Sequence, residues 1–224
     1  MRKPVLGILG FSDGDKAAHE MLKPIVQAQV DAIAEALKKD GRVEVVVAED
    51  IVHSDKTAKS YAEDLKAKGV DATVFAYGVF AFPVFSVIAA RYGKGPFLLA
   101  APFNPDWPGM VSMLAAGGGL DHEGIEHFRV AGDVNEKEVL EKIVTFAKCA
   151  KVVSGLSGQK YGLIGGRSLG MYSTTVSMQD WQEKFGVDVE HIDQLEIVRK
   201  AEEVDEAQVE NCLLYTSDAA DDTP

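Results

Sequence analysis

Cysteine is nearly absent. The 224 residues hold two, Cys149 and Cys212, which excludes a disulfide framework and any C-x-x-C redox or zinc motif. Cations are also scarce beside acids: 23 Lys and Arg against 35 Asp and Glu give a formal net charge of -12. A surface for nucleic acid or anionic lipid needs clustered Lys and Arg to displace counterions, so neither nucleic acid nor membrane is expected as a partner. Long apolar runs are missing too, since the longest, from residue 72 to residue 90, is broken by Gly78 and Pro83. The start, MRKPVLGILGF, flows into FSDGDK without a small-residue cleavage site and reads as a first strand. These absences together predict a cytoplasmic protein.

What remains is ordinary globular composition, 46% hydrophobic and 26% charged, in a length that suits one domain or one domain and part of another. Short apolar runs recur as PVLGILG (4–10), VEVVVA (43–48), ATVFAY (72–77), PFLLAA (96–101) and FRVAG (128–132). They lack alternation, as buried parallel strands do when both faces are covered. Helical spacing fills the gaps. Residues 17–39 place Met21, Leu22, Ile25, Val26, Val30, Ile33, Ala34 and Leu37 on one face, with Asp13 or Asp15 as N-cap and Gly41 past the end. Residues 60–68 and 135–153 repeat the pattern, the second with Asn135 as cap.

Alternation of strand and helix predicts an α/β fold: a flavodoxin-like or Rossmann-like open parallel sheet with helices on both faces. A break is expected in SGLSGQ (154–159), giving a first domain over 1–157 and the start of a second over 158–211. The second piece reads as a strand (160–165), a helix (179–184), a strand (187–192) and a helix (194–202). A two-strand unit cannot bury its own faces and should be unstable alone or depend on the first domain.

Candidate site residues gather where strands end. Ser12 and Asp13 follow the first strand, on the carboxyl edge where open sheets bind ligands; helix capping is their competing role. Tyr77 and Phe80 follow the third strand, as pocket wall or as packing. FNPDWP (103–108) follows the fourth and offers Trp107 to stack on a sugar face, unless the loop is only a rigid cap. Gly117-Gly118-Gly119 is expected to end a helix. Gly165-Gly166-Arg167-Ser168-Leu169-Gly170 follows a strand and frees backbone amides for a phosphate or sugar, or forms a tight turn. Its spacing gives no G-x-G-x-x-G and no Walker lysine, which disfavours a nucleotide. His122 and His127, and the Glu190, His191, Asp193 group, lack the two-His helical spacing of a zinc protease. Neither Ser157 nor Ser168 has a visible histidine and acid partner for acyl transfer. The residues alone show no catalytic set and no metal ligands.

GGRSLGMYSTTVSMQDWQEKFGVDVEHIDQLEIVRKAEEV resembles the second domain of the L-fucose and L-arabinose isomerase-like family, in which a GG-x-S-M-G-M turn precedes a WQ-x-x-FG-V helix end and a V-x-x-x-D strand end. FNPDWPGMVSMLAAGGGLDHEGIEH more weakly resembles the family's W-PGLVGMLN-x-x-GSL-x-x-x-G segment in the first domain. The resemblance implies aldose–ketose isomerisation through an ene-diol. A carboxylate removes a proton beside a carbonyl while a divalent metal, usually manganese, steadies charge on the oxygens. It also implies that the glutamate, aspartate and histidine holding that metal belong to later segments, so Mn2+ is expected of a longer enzyme and this chain alone should be inactive.

The same resemblance places the loops of residues 11–14 and 77–80 over the active site of a neighbouring subunit, implying a homo-oligomer. It places Ser168-Leu169-Gly170 on the sugar pocket of its own subunit, with Arg167 beside them. Leu169 stands where methionine is common, and the arginine and tryptophan of fucose isomerases find no clear match at these loops, which leaves the sugar open. CLLYTSDAAD (212–221) resembles an in-frame translated sequencing adaptor, so residues 212–224 read as a non-native tail and the natural chain is expected to continue. The competing reading is a non-catalytic sugar-binding or interaction module of the same fold.

Overall fold

A computed structural model describes residues 2–210; the adaptor-like segment lies outside them. The chain divides into two units, Met1–Ser154 and Gly155–Pro224. In the first, β1 (Val5–Gly10), β2 (Glu44–Val47), β3 (Ala72–Ala76), β4 (Phe97–Ala101) and β5 (His127–Ala131) form one sheet in the order β2-β1-β3-β4-β5. All neighbours pair in parallel, which is the doubly wound order with its switch between β1 and β3.

The helices are α1 (Lys16–Asp40), α2 (Asp55–Ala67), α3 (Pro83–Tyr92), α4 (Gly109–His122) and α5 (Lys137–Leu156). Side chains alternate between two cores. Leu6, Ile8, Val74 and Leu98 join Val26, Val30 and Ile33 of α1 and Ile143 and Val144 of α5. Leu9, Phe75 and Leu99 turn the other way, with Phe11, Tyr77 and Phe97, onto Leu65 of α2, Phe85 of α3 and Met113 of α4. The buried rings of Phe11, Phe75, Tyr77 and Phe97 thus lie on one face, whereas the strand residues buried on the opposite face are aliphatic. The period of two is present, but it separates aromatic from aliphatic rather than apolar from polar. Gly10 brings α1 close to the sheet: a Cβ there would meet side-chain carbons of Val30, Ile51 and Val26 at 2.7–2.9 Å.

Local chemistry corrects several expectations. Asp15, rather than Asp13 or Ser12, caps α1 by accepting from the Ala18 N–H at 2.9 Å, while Asp13 accepts from the Asp15 N–H at 2.8 Å. The helix expected over 60–68 begins at Asp55, because Ser54 and Thr57 close a reciprocal cap. Asn135 caps nothing with its side chain, which instead donates to Asp133 at 2.9 Å. Residues 83–92 form α3, with Pro83 in its first turn. Gly117, Gly118 and Gly119 do not end α4; they lie inside it, and the helix runs to His122.

The second unit holds β6 (Lys160–Ile164), α6 (Met178–Phe185), β7 (Asp188–Ile192) and α7 (Gln194–Glu203), with β6 and β7 paired in parallel. Val187 and Val189 are buried, and neither α6 nor α7 has a buried residue. Trp181 packs on Tyr161, with ring centroids 4.8 Å apart. No helix among the described residues is long and apolar enough to cross a membrane.

Candidate functional site

Each unit presents a hollow at the carboxyl edge of its sheet. In the first, the chain leaving β1 turns through Phe11–Asp15. The Ser12 N–H donates to the Val52 carbonyl at 2.8 Å, tying this turn to the β2–α2 connection. Ser12 is fully buried and its Oγ has no hydrogen-bond partner. Asp13 is half-buried. Gly14 lies under the Phe82 ring, which a Cβ at that position would meet at 2.8 Å.

The residues after β3 split into two roles. Tyr77 is fully buried, stacks on Phe11 with centroids 5.4 Å apart, and shares a 2.7 Å hydrogen bond with Ser86. Burial pushes the phenol's pKa up, against the Ser86 hydrogen bond. Its ring therefore packs inside the first unit rather than walling an open pocket, because β3 is covered on that face by α3. Phe80 reaches the surface.

After β4, Trp107 is half-buried against the aliphatic core. It borders a hollow of about 420 Å3 with Ile25, Ala28, Gln29, Gly78 and Asn104. The expected exposed stacking platform is thus a tryptophan with one side packed and one side in a groove. Asn104 accepts from the Asp106 N–H at 2.9 Å, bracing this loop.

In the second unit, a hollow of about 420 Å3 opens at the ends of β6 and β7, lined by Gly165, Gly166, His191, Ile192, Asp193 and Gln194. Gly165 has φ 73°, and its N–H donates to the Ile192 carbonyl at 3.3 Å. A side chain there would be strained and would also meet Gln194 Nε2 at 2.7 Å. Asp193 caps α7 through the Leu195 N–H at 2.8 Å, so one of its oxygens is engaged.

The turn beyond carries the other expected residues. The Arg167 guanidinium lies over the Tyr172 ring, 4.6 Å from its centroid. Ser168 opens a short turn that ends at Gly170. Leu169, between them, is left-handed at φ 51°, ψ 24° and is 94% exposed. Sequence reading missed His191 and Gln194 as lining residues. The signal for them was the parallel pairing of β6 with β7, which puts the end of β7 beside the glycine turn.

Among the described residues no three His, Cys, Asp or Glu side chains are grouped to hold a metal ion. The donor set for a resident divalent cation is not met by this part of the chain. Ordered binding of polyols through Asp, His, Gln and backbone amides is within the chemistry of the second hollow; removal of a carbon-bound proton has no assembled base there.

A family profile described as "L-fucose isomerase, first N-terminal domain" matches residues 3–158. The chain is 27% identical over 217 residues to an L-fucose isomerase of Bacteroides thetaiotaomicron, covering 89% of this chain and 36% of that protein. An L-fucose isomerase of Bacteroides fragilis is 28% identical over 218 residues, with the same coverages. One of Clostridium perfringens is 35% identical over 101 residues, 42% of this chain and 17% of that protein. The chain thus spans about a third of the length of the curated relatives it matches most extensively.

Proposed function

Because the chain belongs to the L-fucose isomerase family, we propose that it is the amino-terminal part of a metal-dependent aldose–ketose isomerase acting on a deoxy sugar or pentose. The observation that carries this reading is the alignment with relatives named L-fucose isomerase, which runs through both units for 217 residues. The hollow at Gly165, Gly166, His191 and Gln194 supports it with a polar concavity of the size of a monosaccharide. In this reading Arg167, Ser168 and Leu169 rim the sugar pocket of their own subunit. Ser12, Asp13, Phe80 and Trp107 belong to an edge that meets a neighbouring subunit of a cytoplasmic homo-oligomer, with Tyr77 holding that edge from behind.

The chemistry asked of the whole enzyme is transfer of one proton between adjacent carbons through an ene-diol, with a divalent metal, Mn2+ in this proposal, stabilising charge on the two oxygens. No described group of this chain supplies the base or the metal donors, so its residues bind, orient and exclude water. In this reading the base and the metal donors belong to later segments, and the 224-residue chain is inactive alone.

The test is an assay of two proteins with L-fucose and Mn2+: the chain as given, and the chain extended by the gene sequence recovered from an independent library. Ketose from the extended protein alone supports the proposal. Turnover by the 224-residue chain, or a natural stop codon in the recovered gene at this point, overturns it.

A further inference from the structure

The turn after β1, the start of α1 and the β2–α2 connection hold a group of polar side chains. Ser12 Oγ and His19 Nδ1 are both buried without a hydrogen-bond partner. His19, in the first turn of α1, is 4% exposed. Its ring lies on that of His53, with centroids 4.1 Å apart and planes 22° from parallel. His53 belongs to the connection from β2 to α2 and directly precedes Ser54, the cap of α2. Its Nδ1 is 3.3 Å from the Ile51 carbonyl. A carbonyl only accepts, so Nδ1 is the donor in this contact.

The surroundings offer an imidazolium little compensation. On α1, Glu20 and Lys23 act on His19; from the β2–α2 connection, Asp50 and His53 do. Lys23 Nζ and Asp50 pair at 2.7 Å, so their opposite effects largely cancel, and Tyr61 of α2 faces that same pair. Glu20 is exposed and its attraction is screened by water. Asp15, which precedes His19 by one turn, is committed to capping, and Asp55 lies in the first turn of α2 after His53. No carboxylate hydrogen-bonds either ring among the described residues.

We propose that the stacked His19–His53 pair is an acid-sensitive latch, which fastens the start of α1 to the β2–α2 connection while both rings are neutral and releases it when the pair takes up a proton. A neutral pair stacks as two flat, weakly polar rings. A proton on either ring places a cation in a nearly dry contact, and a second proton would set two cations about 4 Å apart. The low-cost response is for the rings to part, and they belong to different segments, the first turn of α1 and the β2–α2 connection. Since the Ser12 N–H is tied to the Val52 carbonyl, the turn after β1 loosens with them. Burial, with His53 second, holds the His19 pKa below its ordinary value, so the latch stays fastened at neutral pH.

The full chain is followed by imidazole NMR titration and by amide hydrogen exchange at pH 7.5 and 5.5, with rates corrected for intrinsic pH dependence. His19 should titrate below 6.5, and amides of residues 18–23 and 52–57 should exchange several-fold faster at the lower pH. His19→Phe keeps a flat ring and removes the proton acceptor, so it should abolish the acceleration. A His19 midpoint at or above 6.5, or equal acceleration in His19→Phe, overturns the latch. Should that variant not fold, exchange in the unaltered chain decides: no acceleration of residues 18–23 and 52–57 at pH 5.5 overturns the latch. Neither readout depends on isomerase activity.

Discussion

The Tyr77 hydroxyl and the Ser86 hydroxyl lie 2.7 Å apart in the aromatic core, joining the end of β3 to α3. Both residues are buried and neither oxygen has water to turn to. Ser86→Ala leaves a buried phenol unpaired and should lower stability by about 1–3 kcal/mol, and Tyr77→Phe by about 1 kcal/mol. The double variant should cost about 1 kcal/mol less than the sum, because each single change already orphans the other group. Urea unfolding of the four proteins measures this coupling, and strict additivity would show that the two hydroxyls do not act as a pair.

Asp71 is a buried acid of the first unit. Its side chain is 1% exposed and pairs with Arg2 at 2.6 Å. It also accepts from the Val5 N–H at 2.9 Å and from the Ser154 hydroxyl at 3.1 Å. Burial pushes its pKa up, but Arg2, the Val5 amide and Ser154 outweigh burial and leave it below the ordinary value. The folded state therefore binds fewer protons than the unfolded one, so this contribution is complete above the ordinary carboxylate range and is lost as pH falls through the lowered pKa. Asp71→Asn should cost about 3 kcal/mol at pH 7 and flatten thermal stability against pH below about 4. Arg2→Ala should cost less, about 1 kcal/mol, since Arg2 is half solvated and the two neutral donors remain.

How much of this fold was legible depends on whether burial was one-sided. Residues 4–10, 72–77 and 96–101 read as strands because both their faces are covered, and they proved to be strands to within a residue at each end. α1 and α5 read as helices because each keeps a wet side. α3 hid in PVFSVIAARY, where apolar residues surround the helix and leave no stripe to read. Tyr77 looked like a pocket residue for the same reason: sequence places it at a strand end, and only the packing of α3 over that end makes it core. The glycine turn at Gly165 was legible as a strand end, whereas its pairing with His191 and Gln194 required the register of β6 against β7. A cap made by Ser54 and Thr57 escaped notice because threonine replaces the usual Glu or Gln.

The glycine triplet within α4 is a second case where local preference is overruled, and its members differ. A Cβ on Gly117 would meet the Arg129 guanidinium at 2.6 Å, whereas one on Gly118 would meet nothing within 4 Å. Gly118→Ala should stabilise the chain by about 0.5–1 kcal/mol through helix propensity. Gly117→Ala gains the same propensity but must displace Arg129 from Asp121, which it holds at 2.8 Å, and from His127; the two effects should nearly cancel. Thermal melting of both variants tests the difference, and equal gains would mean that Arg129 moves aside without cost.

Leu169 combines two features that each work against a residue kept for packing: a left-handed backbone at φ 51° and 94% exposure. A non-glycine residue in that conformation costs about 1 kcal/mol, and a leucine pointing into water recovers none of it by burial. Leu169→Gly should therefore leave the chain as stable as before or up to about 1 kcal/mol more so, read as the melting of the 224-residue protein. If Leu169 rims the sugar pocket, the same change in the extended enzyme should raise KM for the sugar several-fold, about 1 kcal/mol for one lost apolar contact, with a smaller change in kcat. A stability loss with KM unchanged would instead place Leu169 in packing against another part of the polypeptide, and would remove it from the pocket.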